Sequence, residues 1–407
     1  MTYVLLHTFF VVIFCFLAIF SGYLLFISII GHVSRSKRRS MPVRHRSIAV
    51  LITSHREDEI IVHTVNSAVA HDYPRQLFDV FVAADHIQQS TLASLKQTSA
   101  IVYELEFAKG SKARSLNFLL NNIDENKYEI AVVLDEDNIM SPGFLQKVNA
   151  EFEAGNLVVQ AHRTAKNADT PIAILDALSE EVNNHLFRKA PAAVGLSSSL
   201  IGSGMSFPLT VLKNIYNKPG IVDNPACDRE VDFEMLVAGY KVHYLPDADI
   251  LDEKVSDRNV YENQRRRWLE SQWMHVKLFF SDWDRVRNKD QNFWHKLLMN
   301  LLPPRLLILA TFGFVLIVLI LELLLHLNIT GIPTALWIVV FAAYILSIIL
   351  SIPRRFFSLR VLKALFHLPS LVFTLLKATL TMKGSRKQFI HTPKRFTEHS
   401  ASPDNEQ

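Results

Sequence analysis

Residues 3–30 carry no charged side chain, and no other feature restricts this chain so strongly. At 1.5 Å rise per residue, the run exceeds the roughly 20 residues a helix needs to cross a bilayer. A cleaved signal peptide is the competing reading. It calls for positive charge before a shorter apolar core, whereas here Arg35, Lys37, Arg38, Arg39, Arg44 and Arg46 all follow the run. Because Lys and Arg favour the cytoplasmic side, the amino terminus is expected outside and the chain after Gly31 inside.

The carboxyl-terminal third turns apolar again. Residues 306–327, with Glu322 as their one charge, and residues 334–352 read as a spanning hairpin broken by Asn328-Ile329-Thr330-Gly331. Arg354 and Arg355 then fall on the cytoplasmic side. The Asn328 sequon sits too close to the membrane to read as more than incidental. Residues 356–382 include Arg360, Lys363, His367, Pro369 and Lys377, so they read as an interfacial or re-entrant helix and not a fourth crossing. With 20% charged residues, much of the chain must nonetheless sit in water. The net charge of +4 comes from clusters beside apolar runs, not from a basic stripe on a folded domain, which argues against a nucleic-acid partner. Cys15 lies in the first apolar run and Cys227 far from it, so neither a disulfide nor a cysteine metal cage is expected. The catalytic part reads as belonging to a reducing compartment.

Between them, short apolar runs alternate with amphipathic segments. Residues 47–53, 80–84, 100–103, 130–134 and 157–161 read as buried strands, and 57–70, 91–98, 111–122 and 142–153 as helices. This alternation predicts an α/β domain with a parallel sheet covered on both faces, binding ligands at the carboxyl ends of its strands. The expected layout is a spanning helix (1–31), a basic linker (32–46), a cytoplasmic domain (47–275), interfacial helices (276–304), the hairpin (305–353), an interfacial and gating segment (354–400) and a tail (401–407).

The rim residues follow from that rule. Asp135-Glu136-Asp137 ends a strand in alternating acids, and in extended backbone Asp135 and Asp137 share a side, where two carboxylates hold a hard divalent cation. A solvated turn is the plainer alternative. Asp85 follows the second strand, Glu57 the first, and Lys112 opens a helix, where phosphate is favoured. Asp228 reads as a helix cap or as a base aimed into the cleft. Gln264, Arg267 and Trp268 offer an amide, a phosphate fork and a ring for stacking sugar; a lipid-surface helix is the alternative.

Taken in order, Asp85, Asp135-Glu136-Asp137, Asp228 and Gln264-Arg265-Arg266-Arg267-Trp268 resemble the D, DxD, D, QxxRW series of membrane-bound family 2 glycosyltransferases, such as cellulose, chitin, hyaluronan and poly-N-acetylglucosamine synthases. The resemblance covers about residues 47–275 and implies a Rossmann-like GT-A domain with transmembrane helices. It implies that Glu57 and Asp85 contact the nucleoside and Lys112 the uracil or diphosphate region. Asp135 would lie beside the diphosphate, with Asp137 as ligand of Mg2+ or Mn2+, and Asp228 would be the base. Gln264, Arg267 and Trp268 would hold the diphosphate and the acceptor sugar, with Ser203 and Gly204 in the acceptor loop. Phe389-Ile390-His391-Thr392-Pro393-Lys394 resembles a gating segment loosely. Two positions depart from the family: Cys227 replaces a common Glu, which keeps Glu230 or Asp232 as fallback bases, and Arg56 replaces a common Asn.

The implied reaction is an inverting transfer from a uridine-diphosphate sugar to a growing polysaccharide at the cytoplasmic face of the cell membrane. A small membrane partner or an oligomer could complete a polymer channel. The alternatives are transfer of a single sugar to a lipid acceptor, and a non-catalytic membrane scaffold.

Overall fold

The computed structural model describes residues 2–33, 44–224, 227–286 and 289–381. The cluster 35–39 and the segment 389–394 lie outside the described residues. Helix α1 (Thr2–Val33) leads into an α/β body. Its first part holds β1 (Ile48–His55), α2 (Asp58–Val69), β2 (Phe78–Asp85), α3 (Gln89–Lys96), β3 (Ile101–Leu105), α4 (Lys112–Asn122) and β4 (Ile130–Asp135). Then follow β5 (Ile139–Met140), α5 (Phe144–Glu153), β6 (Val158–Ala165), α6 (Pro171–Asn184), a π-helical turn (His185–Lys189) and α7 (Ala190–Ala193). The body closes with β7 (Met205–Pro208), α8 (Leu209–Tyr216), α9 (Cys227–Val237) and β8 (Val242–Asp252).

Strand β1 shows why this part of the chain forms a sheet. Ile48, Val50 and Ile52 pack into one apolar layer with α2, α3 and α5, while Ala49 and Leu51 pack into the other with α4, α8 and α9. A strand buried on both faces has no polar side, hence the unbroken apolar run. The sheet order is β3-β2-β1-β4-β7-β6-β8-β5. It is mixed, which corrects the all-parallel expectation: β7 runs against β4 and β6, and β5 against β8. The turn into β7 explains the reversal. Gly202 and Gly204 have φ of +90° and +62°, and a Cβ on Gly204 would lie 2.8 Å from Ile250 Cγ1. Only glycine threads the chain between β4 and β6 at that point.

The remaining strands share a direction, so their carboxyl ends form one rim. Register sets His55 beside Asp85 and Thr53 beside Asp135. Strand β8 lies against β6 with a register shift at Ala161/His162, and Asp252 pairs with Ala165.

Beyond the sheet come α10 (Arg258–Ser281), α11 (Gln291–Leu301), α12 (Arg305–Leu325), α13 (Thr334–Leu350), α14 (Leu359–Leu365) and α15 (Leu368–Leu380). Tyr3–His32 and Arg305–Leu325 are long and apolar enough to cross a membrane. Thr334–Leu350 is apolar but shorter than expected, stopping before Pro353, where the helical backbone is disfavoured. Helices α14 and α15 bend by 45° at their break, as a broken span or a re-entrant loop would. Phe10, Leu17, Phe20, Leu24 and Ile27 recur at spacings of three, four and seven and form the buried stripe of α1 against α12 and α13. Helix α15 packs on α10 through Leu375 and Ala378, with Arg258 donating to Thr374 and Lys377 bridging Glu262 at 3.1 Å.

Candidate active site

The rim opens into one cavity of about 1480 Å³. Of the residues named from the sequence, Glu57, Lys112, Asp135, Asp228, Gln264, Arg267 and Trp268 line it. Asp85, Asp137, Ser203 and Gly204 are fully buried behind the wall.

Helix α4 is capped by Ser111, whose Oγ accepts from the Arg114 N–H at 3.1 Å. This seats Lys112 in the first turn, where its ammonium donates to Asp135 and, at 2.6 Å, to the Gly202 carbonyl. Burial works to lower the Lys112 pKa, but the Asp135 carboxylate outweighs it and the net shift is upward. Glu57 is buried just before α2, in the cap position, without a capping bond from its side chain.

The acid triplet departs from the extended geometry expected for it. Strand β4 ends at Asp135, whose carbonyl accepts from the Asn138 N–H at 3.2 Å, so Glu136 and Asp137 belong to a turn. Asp135 and Glu136 face the cavity, whereas Asp137 turns inward and accepts from the Glu253 N–H at 3.1 Å and from Asn138 Nδ2 at 3.2 Å. Hard divalent cations take oxygen ligands, and an ammonium already rests on Asp135, so this donor set suits a cation at the wall. Among the described residues, the cluster of three potential ligands is a different one: His55, Asp85 and His86. Both Asp85 oxygens are engaged, by His55 Nδ1 at 2.7 Å and His86 Nδ1 at 2.8 Å, with the Phe107 N–H donating at 3.0 Å.

Asp228 starts α9 on the opposite wall, beside Gly202. Among the described residues its carboxylate has no hydrogen-bond or ion-pair partner. Among the described residues Arg267 likewise makes no hydrogen bond. Burial lowers its pKa, while Asp228, Asp135 and Glu136 act in the other direction. Gln264 Oε1 and Ser54 Oγ are buried on the cavity wall without hydrogen-bond partners among the described residues. Buried polar atoms left unpaired are unfavourable, and a bound polar ligand would satisfy them. Cys227, where the family resemblance leads one to expect Glu, is buried 3.7 Å from the Tyr216 hydroxyl, and burial raises its pKa to about 12. It is an inert thiol and not a second acid.

Sequence reasoning missed the supports. Arg265 stacks 4.5 Å from the Tyr261 ring and 4.1 Å from the Trp268 ring and pairs with Asp176, which holds Trp268 in place. The spacing of Tyr261, Arg265 and Trp268 along one helical face is the signal that could have shown it. Arg163 and Lys254, both on the wall, pair with Glu180 and Asp252, and Arg188 joins Glu180. No local pattern marks this network, because its members come from distant segments.

Residues 45–271 match the family described as "Glycosyltransferase like family 2". The chain also resembles the mannosyltransferase PcManGT from Pyrobaculum calidifontis, solved in complex with GDP-Man and Mn2+. The match has a TM-score of 0.52 at 16% identity, over 89% of this chain and 97% of that one. It shows the GT-A type fold, mixed sheet included. S. aureus TarS matches more weakly, with a TM-score of 0.38 at 17% identity, over 55% of this chain and 39% of that one.

Proposed function

We propose, from the premise that this chain belongs to glycosyltransferase family 2 and is a glycosyltransferase, that it is a membrane-bound, inverting enzyme using a uridine-diphosphate sugar. The observation that carries this reading is the Asp228 carboxylate, without a hydrogen-bond or ion-pair partner among the described residues, on a cavity wall that also bears Arg267, Gln264 and the Lys112–Asp135 pair. Asp228 accepts the proton of an acceptor hydroxyl as its oxygen attacks the anomeric carbon. The bond from that carbon to the diphosphate breaks, and one displacement inverts the configuration. Arg267 and Lys112 hold the departing diphosphate. Mg2+ or Mn2+, held by Asp135 on the wall, would supply further neutralisation of that charge, while Asp137, turned inward, would fix the turn that carries Asp135. Trp268 presents a ring to the acceptor sugar, and Glu57 and Asp85 shape the nucleoside end.

The many apolar side chains exposed on α1, α12 and α13 support a membrane setting, since water-facing patches of that size are rare in soluble proteins. With the catalytic domain on the cytoplasmic face, the sheet rim opens toward the helices. Of the two acceptors considered, polysaccharide and lipid, the shape of the cavity favours the lipid. The carboxylates and Ile345, Ile348 and Ile349 of α13 line one and the same cavity.

The test is transfer from radiolabelled uridine-diphosphate sugars by protein in lipid with Mg2+ or Mn2+. Product in the lipid phase is expected; a long water-soluble polymer would restore the polysaccharide reading. Asp228→Asn should lower turnover by about 10²–10⁴-fold while nucleotide binding persists. Near-normal turnover in that variant would remove Asp228 from its role.

A further inference from the structure

The cavity contains a second place suited to an anion, remote in sequence from every motif residue. Its wall carries Lys112, Arg163, Arg188, Lys254 and Arg265, each paired with a carboxylate. Arg229, Arg267 and Arg305 form no such pair among the described residues. Arg229 donates to Asn300 Oδ1 at 3.2 Å and faces Asp228 and Asp232 electrostatically; Arg267 faces Asp228 in the same way. Arg305 faces the Glu180 carboxylate electrostatically, but Glu180 is already paired with Arg163, Arg188 and Lys254.

Arg305 is the first residue of α12, after Pro303-Pro304, and lines the cavity with residues of α13 and α14. Its guanidinium donates to Asn183 Oδ1 at 2.6 Å, to the Ser179 carbonyl at 3.0 Å and to Ser179 Oγ at 2.8 Å. All three acceptors are neutral, and among the described residues the Nε–H and one Nη1–H find no acceptor. The Tyr344 hydroxyl donates to the Arg305 carbonyl at 2.8 Å, which ties this turn to α13. Leu306, Leu309, Ile345, Ile348, Ile349 and Leu362 line the same cavity. A guanidinium that donates only to neutral acceptors and shares its nearest carboxylate with three other cations is incompletely compensated, and a phosphate that accepts its free N–H groups relieves that.

We propose that this limb binds the acceptor as a phosphate-bearing lipid, with Arg305 on the phosphate and the hydrocarbon against α12, α13 and α14. The inference rests on the reading of the cavity as the transfer site and names what enters it. The reacting group is a hydroxyl carried beyond the phosphate. Its oxygen bonds to the anomeric carbon, the nucleoside diphosphate leaves, Asp228 takes the proton, and the phosphate at Arg305 is unchanged.

The experiment uses full-length protein in phosphatidylcholine nanodiscs with a diazirine-tagged phosphatidic acid, compared with the matching diacylglycerol. Phosphatidic acid should label peptides of α12 and α13 about tenfold more strongly than diacylglycerol, the scale of one charged hydrogen bond. Arg305→Met should remove that difference and Arg305→Lys should keep part of it, while Ile348→Trp should block labelling by filling the limb. Uridine diphosphate binding, followed by calorimetry, should be unchanged in all three. Equal labelling by both lipids in the unaltered protein overturns the proposal whatever the variants do, as does full labelling in Arg305→Met. Competition by millimolar inorganic phosphate would assign the site to a free anion and also overturn it. A strut joining α12 to α6 would not distinguish the two lipids. Failure of the unaltered protein to bind uridine diphosphate would instead count against the donor reading.

Discussion

Gly110 leaves no room for a side chain. A Cβ there would lie 2.5 Å from His55 Nδ1 and 2.6 Å from Asp85 Oδ2, closer than real contacts allow. The residue sits two positions before Lys112, so the loop that delivers the lysine also passes directly over the His55–Asp85 pair. Gly110→Ala should therefore force that pair apart, at a stability loss of about 1–3 kcal/mol. Nucleotide affinity should fall with it. Denaturant melts and calorimetry with uridine diphosphate check both; an unchanged affinity would detach Asp85 from nucleoside binding. Cys227 teaches the complementary lesson: a position that looks chemical in the sequence is a buried thiol packed against Tyr216.

At the scale of elements, α6 is the keel of the site. Glu180 and Glu181 lie side by side within it, the first facing Arg163, Arg188 and Lys254, the second Thr164, His162 and Arg355. Burial works to raise both carboxyls, but these partners hold each down at about 2, below the ordinary 4.5. A depressed carboxylate stabilises the fold fully above its unfolded pKa and loses that contribution as pH falls toward the folded value. Thermal stability should therefore decline between about pH 4.5 and 2. Glu180→Gln should cost about 3–5 kcal/mol at neutral pH by leaving buried cations unpaired, and should flatten the acid-side decline. Melting curves across that range decide it.

Across the whole molecule, α1 joins the apolar helices to the catalytic body. Ser28 bonds the Ser347 carbonyl at 3.1 Å, and its own carbonyl meets His185 Nε2 at 2.9 Å, in the π-helical turn that follows α6. Gly31 lets the two elements touch, since a Cβ there would lie 2.6 Å from His185 Nε2. Gly31→Val should push α1 off the turn, lower the melting temperature in detergent, and reduce transfer more than nucleotide binding. Equal loss of both would mean that α1 merely supports the fold.

What the sequence determined by itself follows from local rules. The run 48–52 is apolar throughout because both faces of β1 are buried, and the uncharged stretch 3–30 had to become a helix too apolar for water. The rim motifs were legible because strand ends collect ligand-binding residues, and β4 ends at Asp135. Tertiary structure decided the rest. Strand β8, which is not among the strands named from the sequence, contains Pro246, Asp247 and Asp249; it is a strand because β6 supplies its ladder across a register shift. Asp137 left the wall because a turn bond to the Asp135 carbonyl bent the triplet. Arg305 acquired its place only when α6, α12 and α13 converged. The bonds from Arg305 to Asn183 and Ser179 join residues more than a hundred positions apart, and no period in a sequence encodes a distance of that kind.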